Sequence, residues 1–234
     1  MKLVHPLKSA LRARLEPYVL KWSSDYLFSQ ENACRLSALV DSAGYVRGHM
    51  KEAEEFPDKQ GVFRKALESA PKTGIFAEFG VWRGTTINAI ADFVGAGTTV
   101  HGFDSFEGLP EDWFGKYTKG TFHMDQLPPV RANVKLHKGW FDATVPQFAL
   151  ESGDQPIAMI HVDCDLYSST KTIFDHLGDR LVPGSVILFD EYFNYPGWRD
   201  HEYKAFQELV ARLNLRYRYL AYNSREFNVA VQIV

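Results

Sequence analysis

The chain has 234 residues, of which 45% are hydrophobic and 24% are charged, and its formal net charge is −3. This length is sufficient for one α/β domain with a substantial core, or at most for two small ones. The slightly negative charge excludes the overall basic excess that nucleic-acid-binding proteins usually carry, so we expect no nucleic-acid partner.

The N-terminus and the cysteines both bear on where the protein is located in the cell. Basic residues occur within the first 20 positions, but no unbroken apolar run follows them, so neither a signal peptide nor a membrane span is predicted. Only two cysteines are present, Cys34 and Cys164, and the second lies between two acids in a predicted strand. A structural disulfide is therefore disfavoured, and we expect a soluble, cytoplasmic protein with no membrane partner.

The first part of the chain has apolar residues near helical spacing, which predicts helices. The simplest interpretation is a helical cap or extension over residues 1–70, attached to a main domain over residues 71–234. Within the cap, segment 42–49 contains Gly44 and Gly48. It predicts either a lid over a site or a break between helices.

From residue 71 onward strands and helices alternate, which predicts a mostly parallel sheet covered on both faces. The predicted strands are 74–80, 100–106, 133–138, 157–165, 185–192, 216–222 and 227–233. The predicted helices are 85–94, 141–151, 169–181 and 200–213. The turn-like connection 223–226 is too short for a parallel crossover, so we expect the sheet to end in an antiparallel hairpin.

One long segment, 107–130, has no periodic pattern and is rich in glycine, proline and aromatic residues. Inserts of this length in compact domains are usually functional or disordered. Its aromatic content argues against disorder, so we expect it to contribute to a binding site.

The stretch 75–86 has the pattern of a strand that leads into a helix through a cofactor-binding turn. Apolar residues surround Glu78, and Gly80 and Gly84 follow before the predicted helix begins at Thr85. Glycines let the backbone approach a ligand closely, and the first helical turn offers free N–H groups. Asp104 ends the next strand, where an acid can accept hydrogen bonds from both ribose hydroxyls.

Each of the first five predicted strands ends in at least one carboxylate. These acids are Glu78, Asp104, Asp142, Asp163 with Asp165, and Asp190 with Glu191. In open parallel sheets the carboxyl ends of the strands form the ligand-binding edge. Clustered carboxylates repel one another unless a cation or a hydroxyl-rich ligand binds there. An all-oxygen set favours Mg²⁺ or another hard divalent cation over zinc.

Nucleophilic hydrolase chemistry is poorly supported, because the sequence contains no Gly-x-Ser-x-Gly motif. The histidines are scattered, and most are expected to be structural. Two of them, His123 in the insert and His201 after the fifth strand, could reach a substrate and act as a base.

Five motifs together resemble class I S-adenosylmethionine-dependent methyltransferases, and within these the macrocin and mycinamicin O-methyltransferase family, which methylates sugar hydroxyls. They lie at 78–84, 104–110, 139–141, 163–170 and 183–192. The resemblance covers about residues 70–234. It implies a Rossmann-like, seven-stranded, mostly parallel sheet with an antiparallel last strand. The helices on both faces and the helical N-terminal extension are expected from the residue pattern described above, and residues 1–70 and the insert match the family less well.

The resemblance also implies roles for individual residues. The turn from Glu78 to Gly84, with Thr85, would hold the methionine part of S-adenosylmethionine. Asp104 and Ser105 would lie at the ribose, and Trp140 and Phe141 near the adenine.

For the metal, the resemblance implies that Asp163, Asp190 and Glu191 hold Mg²⁺, with Asp163 also beside the cofactor. The family has an Asp-Asp pair where this chain has Asp190 and Glu191, which leaves the third ligand open.

The sequence therefore predicts an S-adenosylmethionine-dependent O-methyltransferase that modifies a hydroxyl of a small molecule, with a saccharide favoured, assisted by a divalent metal. Asp163 is the candidate metal ligand with a share in proton removal, and the insert and the cap would form the acceptor pocket. A homodimer formed through the helical extension is a further expectation.

Two other functions remain open from the sequence. A nicotinamide-dependent oxidoreductase has a similar strand, turn and ribose acid, but its Gly-x-Gly-x-x-Gly motif needs a glycine where this chain has Trp82. A non-catalytic partner-binding protein on the same fold would be expected to lack the strand-end acids.

Overall fold

The computed structural model describes residues 5–27 and 29–234. The helices are α1 (His5–Leu27), α2 (Gln30–His49), α3 (Lys59–Ser69), α4 (Thr85–Val94), α5 (Phe141–Glu151), α6 (Tyr167–Leu177) and α7 (Glu202–Leu213). The strands are β1 (Glu54–Phe56), β2 (Ile75–Phe79), β3 (Val100–Asp104), β4 (Val134–Lys138), β5 (Ile157–Val162), β6 (Val186–Phe189), β7 (Tyr217–Asn223) and β8 (Val229–Ile233). Among the helices of these ranges, none is long and apolar enough to cross a bilayer.

All eight strands belong to one sheet, in the order β1-β7-β8-β6-β5-β2-β3-β4. The block from β6 to β4 is parallel, and β8 is antiparallel to both of its neighbours. The predicted α/β class and the antiparallel end of the sheet are confirmed. The sheet has one strand more than the expected seven, because the three-residue β1 pairs with β7 at the edge. A strand that short gives no recognisable alternation in a sequence.

The sheet is covered on both faces, as parallel strands require. On β2 successive side chains point to opposite sides. Phe76 packs with Val62 of α3 and Ile87 of α4 on one face, whereas Phe79 packs in the core shared with α5, α6 and α7 on the other. All five residues of β2 are buried, which explains their continuous apolar run apart from Glu78.

The prediction of a lid or a helix break at 42–49 is wrong, since α2 continues through this segment to His49. Glycine costs about 1 kcal/mol relative to alanine within a helix. Tertiary contacts offset that cost: Ser42 and Tyr45 are buried, and the Tyr45 hydroxyl lies 2.6 Å from that of Tyr219 on β7. The helix is thus docked against the sheet.

The ends of the other elements place the acids beyond the sheet. The predicted helices 85–94 and 141–151 coincide with α4 and α5. The predicted strands 157–165 and 185–192 end earlier, at Val162 and Phe189, although the N–H groups of Asp163 and Asp190 still bond to neighbouring strands, at 2.9 Å in each case. The carboxylates therefore lie at the edge of the sheet formed by the carboxyl ends of the strands. In this sheet β2 lies between β3 on one side and β5 on the other, so the order of the strands reverses next to these acids.

Candidate active site

A cavity of about 1300 Å³ opens at the carboxyl edge of the sheet. It lies at the topological switch point between β2 and β5, where open α/β sheets bind their ligands. The ends of β2, β3, β5 and β6 form its floor, and the insert, α2 and α3 contribute its walls. The strand ends that the sequence singled out therefore meet in one space.

The turn after β2 brings the backbone close to β5. Gly80 has φ of 96°, a conformation that favours glycine, and its N–H donates to the carbonyl of Phe103 at 2.9 Å. An ideal Cβ on Gly80 would lie 1.7 Å from the carbonyl oxygen of Asp163. No side chain fits at this position, so the turn depends on glycine.

The carboxylate of Asp104 fixes the shape of this turn. Its Oδ2 accepts the N–H groups of Val81 and Trp82, both at 2.8 Å, and its Oδ1 accepts the N–H of Phe106 at 2.7 Å. Trp82 has φ of 43°, an uncommon conformation for a bulky residue, which these bonds help to hold. Asp104 also lines the cavity, as a ribose ligand would.

The residues predicted near the adenine lie on the cavity wall. Trp140 is 38% exposed and immediately precedes α5, and Phe141 packs edge-on against Phe79 with the ring centroids 5.7 Å apart. Ser105 lines the same space. An exposed aromatic face beside a polar strand end suits a planar heterocycle.

Three other predicted cofactor residues do not reach the cavity wall. Glu78 is fully buried beneath the turn, Gly84 caps α4 with φ of 77°, and Thr85 begins that helix. Oε1 of Glu78 has no hydrogen-bond partner among the described residues, while its Oε2 lies 3.0 Å from Nδ1 of His161. Glu78 therefore supports the turn from below.

Two groups of possible metal ligands share Asp163. One group joins it to His161 and Asp190, and the other joins it to Asp165 and Glu191; within each, the ligand atoms lie within 4.8 Å of one another. The predicted set of Asp163, Asp190 and Glu191 is thus divided between two groups that share Asp163.

Burial dominates the electrostatics of these acids. It raises the pKa of Asp165 to about 7, with the Asp190 carboxylate adding to the effect. Burial likewise raises the pKa of Asp163, Glu191 and Glu202 well above the usual range, and neighbouring carboxylates contribute in each case. Clustered carboxylates of this kind need a compensating cation or proton.

Asp190 lies beside two cationic side chains, His161 and Lys59. Burial acts to raise its pKa, but the proximity and charge of His161, followed by the charge of Lys59, outweigh burial and hold the pKa below the usual range. Nδ2 of Asn228 donates to its Oδ1 at 2.7 Å, and the ammonium of Lys59 lies 4.0 Å from its Oδ2. Desolvation opposes the charged form of His161, yet the Asp190 and Glu78 carboxylates raise its pKa well above normal.

The residues present fit a hard divalent cation. Oε2 of Glu191 and Oε1 of Glu202 are buried without a hydrogen-bond partner within the part of the chain that the structure describes. Unpaired carboxylate oxygens at this depth are costly unless a cation or a proton compensates them. The oxygen-rich donor set agrees with Mg²⁺ or a similar ion.

The two histidines predicted as candidate bases lie away from the cavity lining. His123 is exposed in the insert, and its Nε2 lies 3.3 Å from Oδ1 of Asp125. His201 precedes α7 with its ring near Tyr195, and its buried Nδ1 has no partner in the described chain. Neither side chain is brought to the acids by this arrangement.

The insert is ordered by its own hydrogen bonds and forms an aromatic wall. The N–H of Leu109 donates to the carbonyl of Thr121 at 2.9 Å, and that of Trp113 to the carbonyl of Tyr117 at 2.8 Å. Cavity-lining rings in this wall are Trp113, Phe114, Tyr117 and Phe122. The hydroxyl of Ser168 on α6 donates to Glu111 at 2.7 Å, which ties the insert to the domain.

Sequence reasoning missed three groups at the acid cluster, namely Lys59, His161 and Glu202. His161 had a signal, because it precedes Asp163 by two residues and so shares its face of β5. Glu202 is fully buried, and its Oε2 accepts the N–H of Glu191 at 3.2 Å. Neither Lys59 nor Glu202 follows a predicted strand, so the pattern of strand-end acids did not include them.

Comparison with known proteins agrees with this geometry. Residues 77–192 match a family model described as a methyltransferase domain. Over 216 residues the chain is 25% identical to the mycinamicin III 3''-O-methyltransferase of Micromonospora griseorubida, covering 76% of this chain and 83% of that protein.

A second relative, from Streptomyces olivaceus, is 8-demethyl-8-(2,3-dimethoxy-alpha-L-rhamnosyl)-tetracenomycin-C 4'-O-methyltransferase. It is 32% identical over 146 residues, which cover 51% of this chain and 53% of that protein.

Solved structures share the fold. The calicheamicin methyltransferase CalS11 superposes with a TM-score of 0.59 at 23% identity, over 74% of this chain and 76% of that one. The O-methyltransferase NovP gives a TM-score of 0.54 at 22% identity, over 73% and 77% of the two chains. The family match and the sequence relatives identify the chain as an O-methyltransferase, and the solved structures show that it shares their fold.

Proposed function

We propose that the protein transfers the methyl group of S-adenosylmethionine to a hydroxyl of a saccharide carried by a small molecule, with the help of a divalent cation. The observation that carries the proposal is the single cavity in which the glycine turn, Asp104 and the aromatic Trp140 face the carboxylates of Asp163 and Asp190. A methyl donor and a hydroxyl acceptor have to meet in such a space for direct transfer.

The cofactor would lie across the ends of β2 and β3. Gly80 permits close approach of its methionine part, Asp104 and Ser105 offer acceptors to the ribose, and Trp140 and Phe141 flank the adenine. Bound there, the cofactor would supply a methyl group on a sulfonium. Glu78 would lie beneath the turn. From there its negative charge would attract the positively charged ammonium group of the cofactor.

The acceptor hydroxyl would bind at the acid cluster. A divalent cation supplies Lewis acidity that lowers the pKa of a bound hydroxyl. Asp163 stands in both groups of possible ligands, and burial raises its pKa well above the normal range. The Asp163 carboxylate would accept the hydroxyl proton as the oxygen takes the methyl group and S-adenosylhomocysteine leaves.

Two features favour a saccharide as acceptor. The name of the Streptomyces olivaceus relative specifies an acceptor that bears a rhamnosyl group. In this chain the aromatic wall of the insert and the acids line the same cavity, and such a combination offers an apolar surface to a sugar ring and polar groups to its hydroxyls.

The test is a transfer assay with S-adenosylmethionine and a panel of deoxysugar glycosides, nucleotide sugars and phenols, scored by mass spectrometry. We expect methylation of a sugar-bearing acceptor, abolished by excess chelator and restored by Mg²⁺, while binding of S-adenosylhomocysteine survives chelation. Full turnover in chelator contradicts the cation, and turnover on phenols alone contradicts the saccharide.

Asp163→Asn is the matched variant for the proton-transfer role. General-base catalysis typically contributes 10²–10⁴-fold, so we expect a loss of roughly that size in kcat. Asp175→Asn, on the exposed side of α6, serves as the control. Calorimetry with nicotinamide dinucleotides tests the rival oxidoreductase, and tight binding of either one would reverse the choice of cofactor.

We also propose that two copies pair through the N-terminal helices. Leu15, Tyr18 and Val19 of α1 and Leu36 and Val40 of α2 are between 50% and 73% exposed, which is unusual for side chains of this kind in neighbouring helices. Sedimentation equilibrium measures the outcome, and a monomer at all concentrations contradicts it.

A further inference from the structure

We propose that His161 is a positioning residue that links cofactor binding to cation binding, through a buried chain of side chains from Glu78 to Asp190. The inference rests on the proposed function, because it requires a cofactor at the turn after β2 and a cation at the acids. It adds a thermodynamic coupling between the two sites and assigns that coupling to one histidine.

The chain crosses three adjacent strands. Glu78 and His161 are direct neighbours in the register of β2 and β5, and His161 is paired in turn with Leu188 of β6, two residues before Asp190. Nδ1 of His161 lies 3.0 Å from Oε2 of Glu78, and its Nε2 lies 3.7 Å from Oδ1 of Asp190. One imidazole thus lies between the carboxylate beneath the cofactor turn and a carboxylate that lines the cavity.

The two contacts of the imidazole differ in kind. The contact with Glu78 is a hydrogen bond, whereas 3.7 Å is beyond hydrogen-bond range and leaves Nε2 buried without a partner among the described residues. A small rotation of the Asp190 carboxylate would complete the second hydrogen bond. The contact between His161 Nε2 and Asp190 Oδ1 therefore has two states. It is open in the structure and would close to a hydrogen bond when the Asp190 carboxylate rotates.

The surroundings favour transmission between the two ends. The side chains of His161 and Glu78 are 1% and 0% exposed, so solvent screens their interaction very little. Phe63 of α3 packs edge-on against the imidazole with the centroids 5.9 Å apart, which restricts its rotation. Histidines that hold a metal-binding carboxylate from behind commonly set its orientation in this way.

Other charged and polar side chains also lie next to the Glu78–His161–Asp190 chain. Lys59 approaches Asp190 from the cavity side at 4.0 Å, and Asn228 donates to the same Oδ1 that faces His161. Asp163 is another carboxylate near the imidazole, since it belongs to the same group of possible metal ligands as His161 and Asp190. A cation bound by Asp163 and Asp190 would orient the Asp190 carboxylate and close the contact with Nε2.

The sign of the coupling distinguishes an effect of the Glu78–His161–Asp190 side chains from direct electrostatic repulsion between the two ligands. A divalent cation and the cofactor's ammonium repel each other directly, which makes each bind more weakly in the presence of the other. Ordering of the Glu78–His161–Asp190 chain acts in the opposite direction, because the ligand that binds first orders the side chains that the second one needs. We expect the favourable effect to dominate in the native chain.

The experiment measures the dissociation constant of S-adenosylhomocysteine by calorimetry, in excess chelator and in saturating Mg²⁺, for the native chain, His161→Gln and the control His101→Gln. The control removes a half-buried histidine that hydrogen-bonds His137 at 3.0 Å on β3 and β4, away from the acids. Mn²⁺ affinity, read by electron paramagnetic resonance with and without S-adenosylhomocysteine, gives the reciprocal measurement.

We expect Mg²⁺ to tighten binding by roughly fivefold or more in the native chain and in His101→Gln, with the same factor for Mn²⁺ in the reverse direction. In His161→Gln the factor falls to one or below. Equal affinity with and without Mg²⁺ in the native chain, or an unchanged factor in His161→Gln, overturns the inference while leaving the proposed function intact.

Two further outcomes are decisive. If S-adenosylhomocysteine does not bind under either condition, both the inference and the proposed function fail. If His161→Gln does not fold, Glu78→Met breaks the same chain at its other end, because a thioether of similar shape does not replace the carboxylate as partner of Nδ1. It must then lose the coupling for the inference to stand, and retained coupling in that variant overturns it.

Discussion

The carbonyl oxygen of Asp163 occupies the space beside Gly80 that a side chain would need, since an ideal Cβ there would lie 1.7 Å from it. The cofactor turn and the acid cluster therefore touch through backbone atoms. Neither can move without the other, so the distance between them is set by the sheet.

Gly80→Ala should disrupt the turn. The clash forces β2 and β5 apart, and the positive φ adds strain of roughly 1–3 kcal/mol. We expect a loss of S-adenosylhomocysteine binding by calorimetry together with a lower melting temperature. Gly97→Ala is the matched control, because nothing lies within 4 Å of its Cβ position. Native-like binding by Gly80→Ala would contradict the role of the contact.

Asp104→Asn should weaken cofactor binding without unfolding the protein. The amide group cannot accept all three backbone N–H bonds that the carboxylate now receives. Hydrogen bonds to a charged group contribute about 1.5–3 kcal/mol, so loss of one predicts roughly 10- to 100-fold weaker binding of S-adenosylhomocysteine.

A comparison for Asp104→Asn is available in the insert. Oδ1 of Asp112 accepts one backbone N–H, from Lys119 at 2.8 Å, at an exposed position. Asp112→Asn should leave cofactor affinity within a factor of about two, as expected for a change in free energy below ~0.5 kcal/mol. Equal losses in both variants would assign the effect to general destabilisation.

Tyr219→Phe should lower the free energy of unfolding. The Tyr219 hydroxyl lies 2.6 Å from that of Tyr45 and 2.7 Å from that of Tyr192, so its removal leaves two buried hydroxyls without this partner. An unsatisfied buried group costs about 1–3 kcal/mol, measurable by urea titration. Tyr222→Phe on the same strand removes only a bond to the exposed Glu55, and a cost equal to that of Tyr219→Phe would refute the argument.

Acid should destabilise the protein through His101. Burial, with the charges of His137 and Lys135, lowers the pKa of His101 to about 4, against about 6.5 in an unfolded chain. Between these values the unfolded chain binds a proton that the folded chain does not, so stability falls as pH decreases through the window. Melting temperatures of His101→Gln should depend less steeply on pH there, and those of the exposed His123→Gln should follow the native curve.

The sequence was sufficient for elements whose local pattern and tertiary environment agree. The helices α4 and α5 coincide with their predictions, and the buried strands β2 and β5 were found from their apolar runs. The continuation of α2 through Gly44 and Gly48 was not predictable in this way. It depends on the contact between Tyr45 and Tyr219, which are far apart in the chain.

The position of Gly80, Asp104 and Asp163 at the carboxyl edge of the sheet was predictable, because each of them ends or follows a strand. Strand periodicity does not determine where side chains point once the strand has ended, so the separation of Asp190 from Glu191 into different ligand groups could not be deduced. Glu202 was missed for a related reason. It reaches the acids from the start of α7, and its partner is a backbone N–H that no sequence pattern reveals.

The walls of the cavity have a consequence for how this protein could diversify. Glu31 and Arg35 of α2 and Lys59 of α3 line the cavity from outside residues 77–192, the part that matches the methyltransferase domain. Substitutions on that face can change which molecules enter while the strand ends keep the same reaction. A library confined to the exposed positions of α2 is accordingly a direct route to new acceptors, because these positions lie outside the strand ends that would carry the reaction.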